Sequence, residues 1–483
     1  MKIANTCTGI LLLILIVISA GAQSYHAMNG SAYAGVLSNF VNPASPINSP
    51  FKWDISILGA QSTTSNSAVS ITNLTLANLT PNNINNIIIQ PTTGNGSRSI
   101  DNVADFHLLN VRYNIDNLQC ISYGFRVRTY THGYASPFKY NDTTSGFFQF
   151  LSYNSNLGSS PFNSYGYNEA WVENDFSYAR ILTDNEDNRL SAGVTLEVLR
   201  GISGVYGALN NVSYRSEPNR NVITNGGVTV LYSSTYSALN ENDRAFKNLM
   251  QFKKAGKFSL GTSVGFEYVV KKNVFDEPYN PKNYYLKIGA SIMDLGNNNF
   301  NTAPYSFNVT VPKGGLTDTG IDNQIYRSKG QDNVKRVLLN DFQDTAQMQQ
   351  TFKMSLPTRF VLTLDKSVSD IFYINAMVNI NFYSQNVSDV YKIKTGELNR
   401  LIITPRLEND VWGIYAPIQY TEKHDLMIGA ALKLGPLLIG LHNVNWLQRT
   451  KIEGLDGGGY MALHFQPRLK KLHHSLDCYT GDL

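Results

Sequence analysis

Apolar and polar residues alternate with period two along much of this chain, the mark of strands whose two faces meet different surroundings. In QCISYGFRVRTY, Ile121, Tyr123, Phe125 and Val127 oppose Ser122, Gly124, Arg126 and Arg128. NRLSAGVTLEVLR sets Leu190, Ala192, Val194, Leu196 and Val198 against Arg189, Ser191, Thr195 and Glu197. In KFSLGTSVGFEYVV the apolar face is Phe258, Leu260, Val264, Phe266 and Tyr268, and in IFYINAMVNINFYSQ it is Phe372, Ile374, Ala376, Val378, Ile380 and Phe382. Such runs are about 10 to 14 residues long. Strands of soluble proteins average ~5 to 6 residues, whereas a tilted strand crossing a bilayer needs ~9 to 11.

About fourteen such segments follow one another, near residues 51–62, 104–115, 119–130, 172–183, 189–200, 257–270, 283–295, 359–368, 371–384, 400–408, 411–420, 424–434, 436–445 and 457–466. An even number lets a closed antiparallel barrel return both ends to one side of a membrane. The connections have a rhythm of their own. Those at Asp116 to Leu118, Asp184 to Asn188, Ser369-Asp370, Asn409-Asp410 and Gly435 are tight, and only Lys271 to Lys282 is longer on that side. The alternate connections are mostly long and polar: Thr63 to Val103, Thr131 to Trp171, Gly201 to Gly256 and Gly296 to Thr358. Short periplasmic turns and long extracellular loops are the asymmetry of outer-membrane barrels. A secreted β-sandwich or propeller also alternates, but it predicts no two-sided rhythm and rarely carries such long loops.

A bilayer forces every backbone group to pair internally, so the sheet closes with its apolar face outward. The other face carries Ser, Gly, Asn and Thr, with Lys52, Asp54, Arg126, Arg128, Glu197, Glu267, Lys287, Asp365, Lys433 and His464 among them. A charge at mid-bilayer on the lipid face costs ~2 to 4 kcal/mol, so these residues are expected to face the lumen, where they pair with one another or line a substrate route. Trp53, Tyr284, Tyr285, Tyr383, Trp412 and Trp446 stand near segment ends and suit interfacial girdles.

Composition agrees with a barrel and narrows the alternatives. Charged residues make up only 16% of the 483 residues, against the usual ~25%. The net charge of +4 is too small and too scattered for a nucleic-acid partner. A mean hydropathy of -0.20 without a second long apolar run excludes a bundle of membrane helices. The N-terminus reads as a cleavable secretory signal, residues 1–22, with Lys2 ahead of an apolar stretch and Ala20-Gly21-Ala22 before the cut. Its apolar core is too short for an anchor, and no cysteine sits at the cut for a lipid. Only Cys120 and Cys478 remain after it, so no disulfide framework is implied.

Motifs for chemistry are mostly missing. No nucleotide loop, nucleophile elbow, carboxylate pair or zinc helix is present, so neither an enzyme nor a cofactor is expected. His473-His474 with Cys478 is a chance cluster rather than a metal site, and Arg468, Lys470 and Lys471 beside it read as a solvated periplasmic tail, residues 467–483. Asp344-Thr345-Ala346 matches a short bacterial O-glycosylation signal, and the N-x-S/T triplets such as Asn73-Leu74-Thr75 follow from composition.

One stretch fits neither signal nor strand. GSAYAGVLSNFVNPASPI, Gly30 to Ile47, is rich in small residues and closes on proline. Its Ala32-Tyr33-Ala34-Gly35 followed by Asn42-Pro43-Ala44 resembles the N-terminus of the FadL-type long-chain fatty-acid transporter superfamily, which includes PorV-type components of type IX secretion. The whole layout is most similar to an uncharacterised outer-membrane barrel family within that superfamily. The resemblance implies a fourteen-stranded barrel over residues 51–466, with residues 23–50 folded into the lumen as a plug or hatch. Ser45-Pro46 follows the N-P-A where the transporters usually continue with Gly-Leu. The expected function is a channel for small hydrophobic or amphipathic molecules, with outer-membrane lipid around it. A PorV-like platform for a secreted or outer-membrane protein partner is the alternative.

Overall fold

A computed structural model of the protein describes residues 26–72, 88–92, 96–137, 161–217, 220–235, 256–272, 281–327, 331–384, 386–444, 451–453 and 456–467. The expected signal, the Asn73-Leu74-Thr75 triplet, Trp446, and the tail from Arg468 with its histidines and Cys478 lie outside the described residues.

Fourteen strands form a wall: β1 (Trp53–Asn66), β2 (Arg98–Asn114), β3 (Gln119–Ala135), β4 (Phe162–Asp184), β5 (Asn188–Glu217), β6 (Phe258–Lys271), β7 (Tyr284–Asn301), β8 (Arg359–Ser367), β9 (Phe372–Asn381), β10 (Arg400–Glu408), β11 (Trp412–Tyr415 and Ile418–Thr421), β12 (Leu426–Ile428 and Ala430–Leu434), β13 (Leu437–Leu441) and β14 (Gly457–Phe465). Each pairs antiparallel with the next, and β14 returns to β1 from Ile55 opposite Phe465 to Thr64 opposite Gly457. Closure removes the two sheet edges that a bilayer cannot tolerate. The interruption of β11 falls at Pro417, which has no N–H to give to the ladder. The tightest turn turns on Gly435, whose φ of 56° a side chain would strain.

The alternation sorts the residues as a membrane requires. In β8, Leu362 and Leu364 are 41% and 46% exposed while Val361, Asp365 and their even-spaced neighbours are buried. Phe176, Leu196, Phe266, Ile380, Ile414 and Ile439 continue the exposed apolar belt on other strands. Buried between them are Asp54, Asp105, Arg112, Arg126, Glu173, Glu267 and Arg406, so the core of this molecule is polar and its outside is apolar. This is a transmembrane barrel, since a soluble fold would invert those faces.

The long loops are more structured than their polar composition suggests. β4 and β5 run well past the predicted segments and pair with each other to Phe162 opposite Val212. A strand at Arg220–Tyr232 pairs with the far end of β5, and strands at Phe307–Pro312 and Phe342–Ala346 follow it in order. Helices α1 (Asp318–Arg327) and α2 (Gln331–Asp341) close over this layer. Phe162, Val228, Phe307, Val309, Ile321, Leu338 and Phe342 make a separate apolar core there. Asp344 to Ala346 is exposed on the outermost of these strands.

Candidate functional site

Residues 26–50 lie inside the ring. Three short 3-10 turns, His26–Met28, Gly35–Phe40 and Ser45–Asn48, carry the chain through the half of the lumen nearest the short turns. Too short and too rich in proline to make its own ladder, the segment satisfies its backbone on the wall. Val36 N–H donates to Asp54 Oδ1 at 2.7 Å on β1, and the carbonyls of Phe51 and Pro46 accept from Arg112 on β2. Ser31 donates to Glu408 on β10 at 2.7 Å, Asn39 to Ser177 on β4 at 2.7 Å, and Asn48 to Glu267 on β6 at 2.8 Å. Ser291 on β7 donates to the Val41 carbonyl at 2.6 Å.

Small residues make this fit possible. Ala32, Tyr33, Ala34, Gly35, Asn42, Pro43 and Ala44 are all buried. Gly35 has a φ of 51°, and a Cβ there would land on the Asp54 carboxylate. On the wall, Gly193 leaves room for the Pro43 carbonyl and Gly265 for the Asn42 amide. Asn42 closes its own turn by accepting from Ala44 N–H at 2.9 Å and donates to the Phe266 carbonyl at 2.8 Å. Tyr33 packs on Phe51 with centroids 6.2 Å apart, and Lys433 Nζ stands 5.2 Å from its ring. Burial pushes the Tyr33 hydroxyl well above its ordinary value, with Tyr373 and the Glu408 carboxylate adding to the rise, so it stays neutral.

The charged residues form two groups. Nearer the short turns, Asp365 receives Arg406, Tyr284 at 2.6 Å and Asn375 at 3.1 Å, while Arg406 also donates to Glu408 at 2.7 Å. Lys287 Nζ lies 3.4 Å from the Gly30 carbonyl, and Glu267 accepts from Ser45. Asp54 binds Arg112 at 2.5 Å and His464 at 3.0 Å. Beyond Phe40, Arg126 pairs with Glu173, with Asp175 at 2.9 Å and with Asp105 at 3.3 Å, and its guanidinium lies 4.4 Å over the Phe40 ring. Arg128 takes Asp294 with both nitrogens at 2.8 and 2.9 Å, and Arg359 meets the same carboxylate. Glu197 accepts from Ser263 at 2.5 Å beside them.

From the long-loop end a second segment enters. Thr395, Glu397 and Leu398 are buried, with Tyr130 donating to Glu397 at 2.5 Å and Thr395 to Glu169 at 2.8 Å. Between Phe40 and Glu397 the space left measures about 30 Å³. That is room for a water or two and no larger molecule.

Three expected positions differ, Tyr383 among them, which lines the opening of the lumen instead of a girdle. Lys52 is exposed ahead of β1, with Nζ 5.5 Å from the Tyr113 ring, because its alternation starts one residue before the wall does. Tyr284, expected in a girdle, is fully buried and stacks on Tyr373 at 5.8 Å, while the adjacent Tyr285 is 52% exposed. Asp294, Arg359, Glu397, Arg406 and Glu408 were not singled out by the sequence. Asp294 reaches the lumen through an irregularity in β7 with φ 59°, which no alternation pattern reports.

Residues 43–441 match the model described as a family of unknown function (DUF5723). The chain belongs to that family. The matched region opens on Pro43-Ala44 inside the enclosed segment and runs through β13. A comparison with curated proteins gives no match. Among solved structures this family member is similar to the toluene transporter TbuX of Ralstonia pickettii, at 11% identity and TM-score 0.42 over 93% of this chain and 98% of that one. It is also similar to a FadL homologue of Pseudomonas aeruginosa, at 10% identity and TM-score 0.42 over 92% and 97%. The toluene transporter TodX of Pseudomonas putida gives 10% identity and TM-score 0.37 over 92% and 94%.

Proposed function

We propose that this chain is an outer-membrane channel that admits a small hydrophobic or amphipathic molecule when its N-terminal segment yields. The observation that carries the reading is the enclosed segment itself, held by side-chain and main-chain bonds to strands round the ring and leaving about 30 Å³ beyond Phe40. Arg126, Arg128 and Arg406 pair with carboxylates of the wall itself, so the segment is not needed to balance those charges. The mixed lining of Val103, Val361 and Met377 with Arg126, Arg359 and Glu397 suits the amphipathic end of that range. Swelling of proteoliposomes tests it: deleting Gly30 to Pro46 is expected to raise permeation of small solutes severalfold, and unchanged swelling of a well-folded deletion rejects gating.

A second reading, a platform for a secreted or outer-membrane protein, is favoured by the apolar core under α1 and α2, which a bare pore does not need. Recovery of one specific partner from detergent extracts by the full chain, and its loss on removing Lys313 to Asp341, supports that reading.

A further inference from the structure

Where the lumen opens among the long loops, a vestibule of about 510 Å³ faces solvent. Tyr134 on β3 and Tyr165 on β4 stand directly opposite each other, ring centroids 5.6 Å apart, and Tyr383 just beyond β9 lines the same space. Amide and carboxylate groups alternate with these rings. Tyr165 donates to Asn386 at 3.0 Å, Asn399 donates to Glu422 at 2.6 Å, and Asn381 N–H donates to Asn399 at 2.7 Å.

The floor of the vestibule holds polar atoms without partners among the described residues. His132 is buried, with Nδ1 bound to Asp101 at 2.7 Å, and its Nε2 has no hydrogen-bond partner. Asn381 Oδ1 is likewise unmatched. Just below, a smaller cavity shares His132 and Glu397 and is lined by Arg400, whose Nε and Nη1 are also unmatched. A buried polar atom without a partner costs ~1 to 3 kcal/mol, so this floor is poorly matched to an apolar neighbour.

Chemistry narrows the occupant. An apolar molecule would cover Asn381, Asn399 and Glu422 without bonding them, at the same cost again. An ion finds little net charge, because Asp101, Glu397 and Glu422 are balanced by Lys423, Arg359 and Arg400. What fits is a neutral ring with C–H faces for the tyrosines and hydroxyls that both give and accept hydrogen bonds. We propose that this vestibule binds a carbohydrate of one or two sugar units against the Tyr134 and Tyr165 rings, with hydroxyls reaching the exposed side chains of Asn386 and Glu422.

The test uses the full chain in a detergent without a sugar headgroup, titrated calorimetrically with maltose, lactose and N-acetylglucosamine. At least one is expected to give saturable binding that weakens about tenfold, ~1.4 kcal/mol, in Tyr165→Ala and in Glu422→Ala. Tyr383→Ala, which lies beyond the wall ladder, is expected to show the same loss should either of those variants misfold. No saturable heat from any of the three sugars overturns the proposal, as does unchanged affinity in variants that keep a heat-modifiable band. Binding is measured apart from permeation, so a sugar that binds leaves this inference standing even where deletion of Gly30 to Pro46 leaves swelling unchanged and gating is rejected. Swelling without sugar binding does the reverse.

Discussion

Asp54 concentrates more of this molecule on one carboxylate than any residue near it. It accepts from Arg112 on β2, from His464 on β14 and from Val36 N–H in the enclosed segment, all fully buried. Removing one partner of a buried ion pair leaves the other charge stranded, at ~3 to 5 kcal/mol. Asp54→Ala is therefore expected to lower the urea midpoint of the purified barrel sharply, read by tryptophan fluorescence, whereas Asp54→Asn keeps part of the bonding and loses less. Gly35 separates segment from wall. An added Cβ at φ 51° meets the Asp54 carboxylate, so Gly35→Ala is expected to raise permeation without abolishing the heat-modifiable band. A wild-type swelling rate in that variant would show that the segment tolerates displacement of this turn.

The strands divide sharply into those legible in the sequence and those not. β3, β6, β8 and β9 were readable because each has lipid on one side and packed polar groups on the other, which writes period two into the residues. The upper parts of β4 and β5 and the strand at Arg220–Tyr232 pack against the loop layer instead of lipid, so the contrast of lipid against lumen does not mark them. Helices α1 and α2 carry few apolar residues and hide for the same reason. The enclosed segment was visible as an absence of pattern and through the short motif Ala32-Tyr33-Ala34-Gly35 with Asn42-Pro43-Ala44, and its small residues became meaningful once a crowded lumen was at hand. Glu397 could not be found at all, since it comes from a loop that turns inward. Face assignment itself makes a prediction at this scale. Leu364→Arg, on the lipid side of β8, is expected to cost ~2 to 4 kcal/mol in folding into liposomes, while Thr363→Ser on the other side changes it little. Equal effects would contradict the assignment.

At the scale of the whole molecule, one closed ring accounts for the apolar exterior, the polar interior and the unequal loops. A closed barrel resists detergent at room temperature, so boiled and unboiled samples are expected to run at different positions on a gel, and coincident bands would contradict closure. β1 meets β14 at the seam that closes the barrel. The enclosed segment is made first and β14 nearly last, yet Gln466, one residue past β14, donates to the Tyr33 carbonyl at 2.7 Å, and His464 completes the Asp54 cluster that holds Val36. The seam and the seat of the segment are thus finished by the same residues. During biogenesis the N-terminus has to wait within the curling sheet until the final hairpin arrives, and the zipping that seals the barrel also locks its occupant in place.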